Sequence, residues 1–262
     1  MARFVINETG ILLHNLPHGS FRLCVAWIGN SFRVAVKTTN LNELIFFRSY
    51  DFADGIQFKD VIADLKEIVS SDVLFSDVYH DISIGLQGRS ELFPKDFQPS
   101  PTTHFSEYVD TLDLYVSQTE EPFLIEFYRA FFPNAVYRDL SASWLRMIAT
   151  ISDAKHLFIH IDHHLMSVAY FSSPNKVRLF STFEFKTVED FAYFINLVAL
   201  EVGLDRNETT LFLSGDVIKS SRIFDLAFTY LSKVEFFEHT SIINSNLFNQ
   251  YPRHQNIHFF SL

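Results

Sequence analysis

A repeat of about 134 residues constrains this chain more than any other feature of its sequence. Slid by that distance, "RLCVAWIGNSFRVAV" (Arg22–Val36) lies over "HLFIHIDHHLMSVAY" (His156–Tyr170). Both read as strand, short turn, strand. Next, "ELIFFRSYDF" (Glu43–Phe52) lies over "KVRLFSTFEF" (Lys176–Phe185), and "FKDVIADLKEIV" (Phe58–Val69) over "FAYFINLVALEV" (Phe191–Val202). The last pair carries apolar residues at helical spacing: Val61, Ile62, Leu65, Ile68 and Val69 in one copy, Phe194, Ile195, Val198 and Val202 in the other. Thr187 with Asp190 reads as a capping box and Gly203 as a stop. Finally "DISIGLQG" (Asp81–Gly88) matches "TLFLSGD" (Thr210–Asp216). Each copy therefore reads strand–strand–strand–helix–strand.

Alternation continues outside the copies. "TLDLYVSQ", "NAVYRDL" and "VEFF" read as strands, and "PFLIEFYRAFF", "SASWLRMIATIS" and "SRIFDLAFTYLSK" as helices. Asp96–His104 is the clearest loop. The tail after His239 reads as polar and irregular, with a short last strand at "IHFFSL". This pattern predicts two mixed α/β domains, 1–152 and 153–262.

Composition narrows the function classes. The chain is 48% hydrophobic over 262 residues, enough for sizeable cores. Its net charge of −10, without a basic cluster, argues against nucleic acid as a partner. Only 8 residues are Gly, less than half the usual share of about 7%, and loops that wrap phosphate closely use glycine. The lone Cys24 forbids an internal disulfide and fits a reducing, cytoplasmic location. No run of 18 apolar residues predicts a membrane span, and the first residues do not read as a signal peptide.

Two ribonuclease-H-like units in tandem resemble the actin, hexokinase and sugar-kinase superfamily. The second copy carries the likeness most specifically, in "FIHIDHHLMSVAYF", "VRLFSTFEFKTVEDFAYFINLVALEVGL" and "TLFLSGD". As a whole the chain resembles an uncharacterised bacterial family with the actin-like ATPase fold, and more distantly the pilus-assembly actin-like protein. That resemblance implies a phosphate-gripping first hairpin turn in each domain, made of an Asp, glycines and a small hydroxyl residue. Here the first turn has Gly29 and Ser31, but Ile28 stands at the acid's place. The second has Asp162, followed by His163, His164 and Leu165 instead of glycines. The adenosine loop implied by the resemblance keeps Ser214, Gly215 and Asp216, with one glycine of a pair.

Asp162-His163-His164 has three readings: a degenerate phosphate turn, which the resemblance favours, an ordinary exposed turn, or a metal site. His156, His160, Asp162 and His164 share one strand face, but neighbours two apart lie about 6.6 Å from each other, too far to converge on one ion. The reading preferred for that face is solvent-exposed polar residues, with no metal. Asp216 reads more often as a turn residue than a nucleotide contact, and Cys24 as core. The incomplete motifs predict a non-catalytic scaffold or protein-interaction module with no cofactor. The alternative is a nucleotide-binding protein or weak ATPase using ATP and magnesium; a metal-dependent enzyme ranks third. The candidate partner surface is Phe93, Phe97, Phe105 and Tyr108, in a stretch with three prolines that reads as loop-rich.

Overall fold

The computed structural model describes residues 4–10, 20–76, 78–97, 104–119, 121–151, 155–238 and 252–262. In chain order the first half holds β1 (Phe4–Gly10), β2 (Phe21–Ile28), β3 (Ser31–Thr38), β4 (Leu44–Phe52), α1 (Phe58–Ser71) and β5 (Asp81–Leu86). It continues with β6 (Ser90–Pro94), β7 (His104–Val109), β8 (Leu114–Thr119), α2 (Pro122–Phe131), β9 (Val136–Asp139) and α3 (Leu140–Ala149). The second half holds β10 (His156–Asp162), β11 (Leu165–Ser173), β12 (Lys176–Glu184), α4 (Val188–Val202), β13 (Thr210–Gly215), α5 (Arg222–Tyr230), β14 (Lys233–Phe236) and the single-turn α6 (Ile257–Phe260).

The repeat is real. The main sheets run β1-β4-β3-β2-β5-β9 and β12-β11-β10-β13-β14, so each copy lays three antiparallel strands and then pairs its first strand in parallel with its fourth. The register agrees as well: Arg22 pairs with Asp81 as His156 pairs with Thr210. Helices start where the sequence places them. Thr187 and Asp190 form the capping box of α4, and Gly203 takes the left-handed φ of +62° that ends it.

Strand parity sorts side chains into three cores. Leu23, Val25 and Trp27 of β2 face outward under α1 and α2, while Leu157, Ile159 and Ile161 of β10 face outward under α4 and α5. The opposite faces, with Cys24, Ala26 and Ile28 in one sheet and Phe158, Ala169 and Phe171 in the other, meet in a shared core. Into it pack α3 and the tail residues Ile257, Phe259, Phe260 and Leu262. Sheets covered on both faces explain why the central strands are near-continuous apolar runs.

The tail corrects the sequence reading. "IHFF" forms a helical turn instead of a strand, and Phe259 and Phe260 are fully buried. Each contributes about 1.5–3 kcal/mol over its exposed state. Lys37 lies on the inward face of β3 with Ala35 and is fully buried, beside a register shift at which Ile45 of β4 is the extra residue. Lys37 Nζ donates to the carbonyl oxygens of Phe260 and Leu262, both at 2.6 Å, and burial lowers the ammonium's pKa. The Glu91–Tyr108 stretch also differs: β6 and β7 flank β8 in a separate three-stranded sheet, while 98–103 of the expected loop lie outside the described residues. Among the described residues no helix is long and apolar enough to cross a membrane.

Candidate functional site

The two hairpin turns that the repeat aligns face one another across the junction of the sheets. A Cβ placed on Gly29 would stand 3.0 Å from Cβ of His163. Both turns begin with a residue at left-handed φ, Gly29 at +60° and His163 at +53°. Each first amide is bound in the same way. Gly29 N–H donates to Gln87 Oε1 at 3.0 Å, and His163 N–H donates to Asp216 Oδ2 at 2.9 Å. Gln87 and Asp216 follow the last strand of their copies, so these contacts are one interaction made twice. Ser31 Oγ donates to Asp51 Oδ1 at 2.6 Å.

The third element is equally occupied. Gly215 takes a φ of +88°, and a Cβ there would lie 1.9 Å from the carbonyl oxygen of Ile161, so glycine is required. Its N–H donates to the carbonyl of His254 at 2.8 Å. His254 stacks on Phe236 with ring centres 4.1 Å apart. Residues 252–262 therefore lie across the place of the expected adenosine loop.

Behind the turns sits a buried ionic cluster. His160 and Asp162 share a strand face, as their parity requires, but that face points into the molecule: they are 1% and 3% exposed. This overturns the reading of a solvated polar face. It fails because the strand's even-numbered side is covered by the first domain and the tail. Asp162 accepts from Arg33 at 3.2 Å and from Gln87 at 3.2 Å, and bonds to His160 Nε2 at 3.0 Å and His258 Nδ1 at 3.2 Å. Arg33 also donates to Asn256 of the tail. Burial alone would raise the Asp162 pKa, but His160, the bond from His258 and Arg33 together hold it well below the usual carboxylate range. Burial drives His258 the other way, down to about 4, so its imidazole is neutral near pH 7.

Ser214 Oγ lies 2.8 Å from His160 Nδ1, which completes a Ser–His–Asp chain. Ser214 is 1% exposed, so no substrate carbonyl reaches it. His160, Asp162 and His258 also offer two nitrogens and an oxygen within 4.8 Å of one another, suited by type to zinc or another transition metal. Their electrostatics oppose it. Arg33 already matches the one negative charge, so a divalent ion would bury its whole charge uncompensated. The cluster ties β3, the segment after β5, β10 and the tail into one junction.

Of the residues the sequence nominates, Gly29, Asp162, Ser214, Gly215 and Asp216 converge here, and Ser31 lies at the rim of a cleft of about 320 Å³ beside Arg33, Asp216 and Asn256. The sequence reading missed Arg33, Gln87, His254 and His258. Arg33 had a signal: a cation inside the apolar strand "SFRVAV" requires a buried acid opposite. The tail histidines had none. Of the candidate partner surface, Phe97 is 56% exposed and stacks on half-buried Phe93 at 5.2 Å, Tyr108 is 39% exposed, and Phe105 packs on the outer core of the first sheet.

Structural neighbours agree with the fold. A Bacteroides thetaiotaomicron protein with actin-like ATPase fold and unknown function superposes with a TM-score of 0.75 at 13% identity, covering 93% of this chain and 95% of its own. A chain of the PilM–PilN type IV pilus biogenesis complex gives 0.62 at 10%, covering 94% and 98%. The ethanolamine utilization protein EutJ from Carboxydothermus hydrogenoformans gives 0.55 at 9%, covering 95% and 91%. The architecture is thus the two-domain actin-like ATPase fold. No curated protein matches the sequence significantly. Residues 18–234 match a family described as protein of unknown function, DUF3822, and the chain belongs to that family.

Proposed function

We propose that the protein is a non-catalytic member of the actin-like fold, a scaffold or protein-interaction module whose interdomain junction is closed by its own groups. The observation that carries this reading is the matched pair of side-chain locks, Gln87 on Gly29 N–H and Asp216 on His163 N–H, on turns already in contact. Backbone amides at such turns are the groups that hold phosphate in a nest, and here each first amide has an internal acceptor. Gly215 N–H is bound to the tail in the same sense. The nucleotide-binding alternative needs three changes at once: release of both locks, separation of the turns, and withdrawal of 252–262 with its buried Phe259 and Phe260. The last alone exposes two large side chains at about 1.5–3 kcal/mol each. An interaction role is supported by the similarity to PilM–PilN, which is itself a complex.

Isothermal titration of the full chain with ATP and with ADP, each with magnesium, tests the proposal. It expects no saturable heat at millimolar nucleotide. Saturable binding that is abolished by Asp162→Ala in a variant that still folds would replace it with the nucleotide-binding reading.

A further inference from the structure

The two copies place equivalent helices on the outer faces of their sheets, and the solvent sides of those helices differ in kind. On α1 the positions that align with the exposed face of α4 are Asp60 and Glu67, both exposed, and Asp64, which is half-buried. The aligned positions on α4 are Tyr193, Leu197 and Leu200, exposed by 63%, 43% and 75%. These three recur at i, i+4 and i+7 and so form one stripe about 10.5 Å long. Packing against the sheet does not explain them, because α4 buries a separate set, Phe191, Ile195, Val198 and Val202, just as α1 buries Phe58, Leu65 and Val69. α1 shows that the fold is satisfied by charged residues at this place.

The surroundings of the stripe specify what fits it. Glu189 and Asp190 lie at its N-terminal end and Glu201 at its C-terminal end, and α4 contains no Lys or Arg. Arg222 of α5 lies 3.4 Å from Glu189, and Lys186 precedes the helix in sequence. No basic residue stands in the last turn, so Glu201 sits at the negative end of the helix dipole, where a cation is favoured. A second copy does not suit this face. Antiparallel α4 helices would set Glu189 and Asp190 against Glu201, between chains that each carry −10.

We propose that the exposed face of α4 docks a basic amphipathic helix of another protein, with apolar anchors on Tyr193, Leu197 and Leu200 and cationic residues on Glu189 and Glu201. A ridge of three side chains at helical spacing is the shape that a second helix packs against. The proposal rests on the reading of the protein as an interaction module and names the partner's chemistry.

The test places a photo-crosslinking residue, benzoylphenylalanine, at Tyr193 of the full chain in its native host, and at the matched Asp60 as control. The expected result is a discrete adduct from position 193 and none from position 60. Mass spectrometry should find the captured segment to be net positive with apolar residues at helical spacing. Leu197→Asp with Leu200→Glu, which writes the α1 residues into α4, should cut the adduct at least tenfold while the melting curve stays in place. No adduct, an adduct with a second copy, a captured segment that is acidic or lacks helical periodicity, or an adduct indifferent to the double substitution would each overturn the proposal. Those failures leave the nucleotide titration untouched, so the two readings fall separately.

Discussion

The hairpin turns at Ile28–Ser31 and Asp162–Leu165 occupy the same place in the two copies, yet only one carries charge. In the first copy the residue before the turn is Ile28, fully buried in the shared core. In the second it is Asp162, which receives Arg33, Gln87, His160 and His258. Duplication supplies two identical frames, and the contacts between frames then assign each copy a different duty. The first copy contributes the cation and apolar surface; the second contributes the anion on which the junction is centred. What is preserved in both is the turn lock by Gln87 or Asp216, which is a property of the frame itself.

The largest test of this asymmetry is Asp162→Ala. It leaves Arg33 buried without its counter-charge, and about 3–5 kcal/mol of stability should be lost in chemical denaturation. The matched change Ile28→Val should cost only about 0.5–1.5 kcal/mol. Equal losses at the two positions would end the comparison.

A second test uses pH. His258 is held down at about 4 from an ordinary value near 6.5. As pH falls from about 6.5 to about 4, the unfolded chain takes up this proton first and stability is lost. Asp139, the buried N-cap of α3, is pushed up to about 7 from 3.8, chiefly by burial. Its contribution is complete below about 3.8 and is lost as pH rises to about 7. The two trends oppose one another across pH 4–6.5, each on the order of 3 kcal/mol at about 1.4 kcal/mol per unit. Urea midpoints of the parent should therefore change less with pH there than either trend alone, with His254, which burial also holds below its ordinary value, adding to the loss on the acid side. Asp139→Asn should uncover a rise with pH, and His258→Asn a fall. A flat profile in both variants would remove the assigned protonation states.

Smaller effects belong to the locks. Gln87→Ala and Asp216→Ala should each cost about 1 kcal/mol by freeing one turn amide, with a further loss for Gln87→Ala because it also removes a donor to the buried Asp162. Smallest of all, Leu197→Asp with Leu200→Glu should shift stability by no more than about 0.5 kcal/mol, since both side chains are exposed. A larger loss would show that the stripe serves the fold.

The frame was legible in the sequence because it is local and periodic. Alternation in the hairpins, helical spacing at Phe58–Val69 and Phe191–Val202, and the capping box at Thr187 each follow from neighbours within a few residues. The site was only half legible. Parity put His160 and Asp162 on one face, but which face meets solvent depends on a tail nearly 100 residues later. His258 lies 96 residues from Asp162 and Arg33 lies 129 away, and no local pattern joins them. β1, β6 and β7 escaped for a related reason: edge strands of mixed polarity carry little periodic signal, whereas β8, central in its sheet, was read from "TLDLYVSQ".

Amide hydrogen exchange at Gly29 and His163, read residue by residue by NMR with and without magnesium-ATP, tests the closed junction most directly. The account expects both amides to exchange slowly in the free protein, because Gln87 and Asp216 hold them, and to be unchanged by millimolar nucleotide. Fast exchange in the free protein with protection appearing only when magnesium-ATP is added would show that the turns are open phosphate sites, and would contradict it.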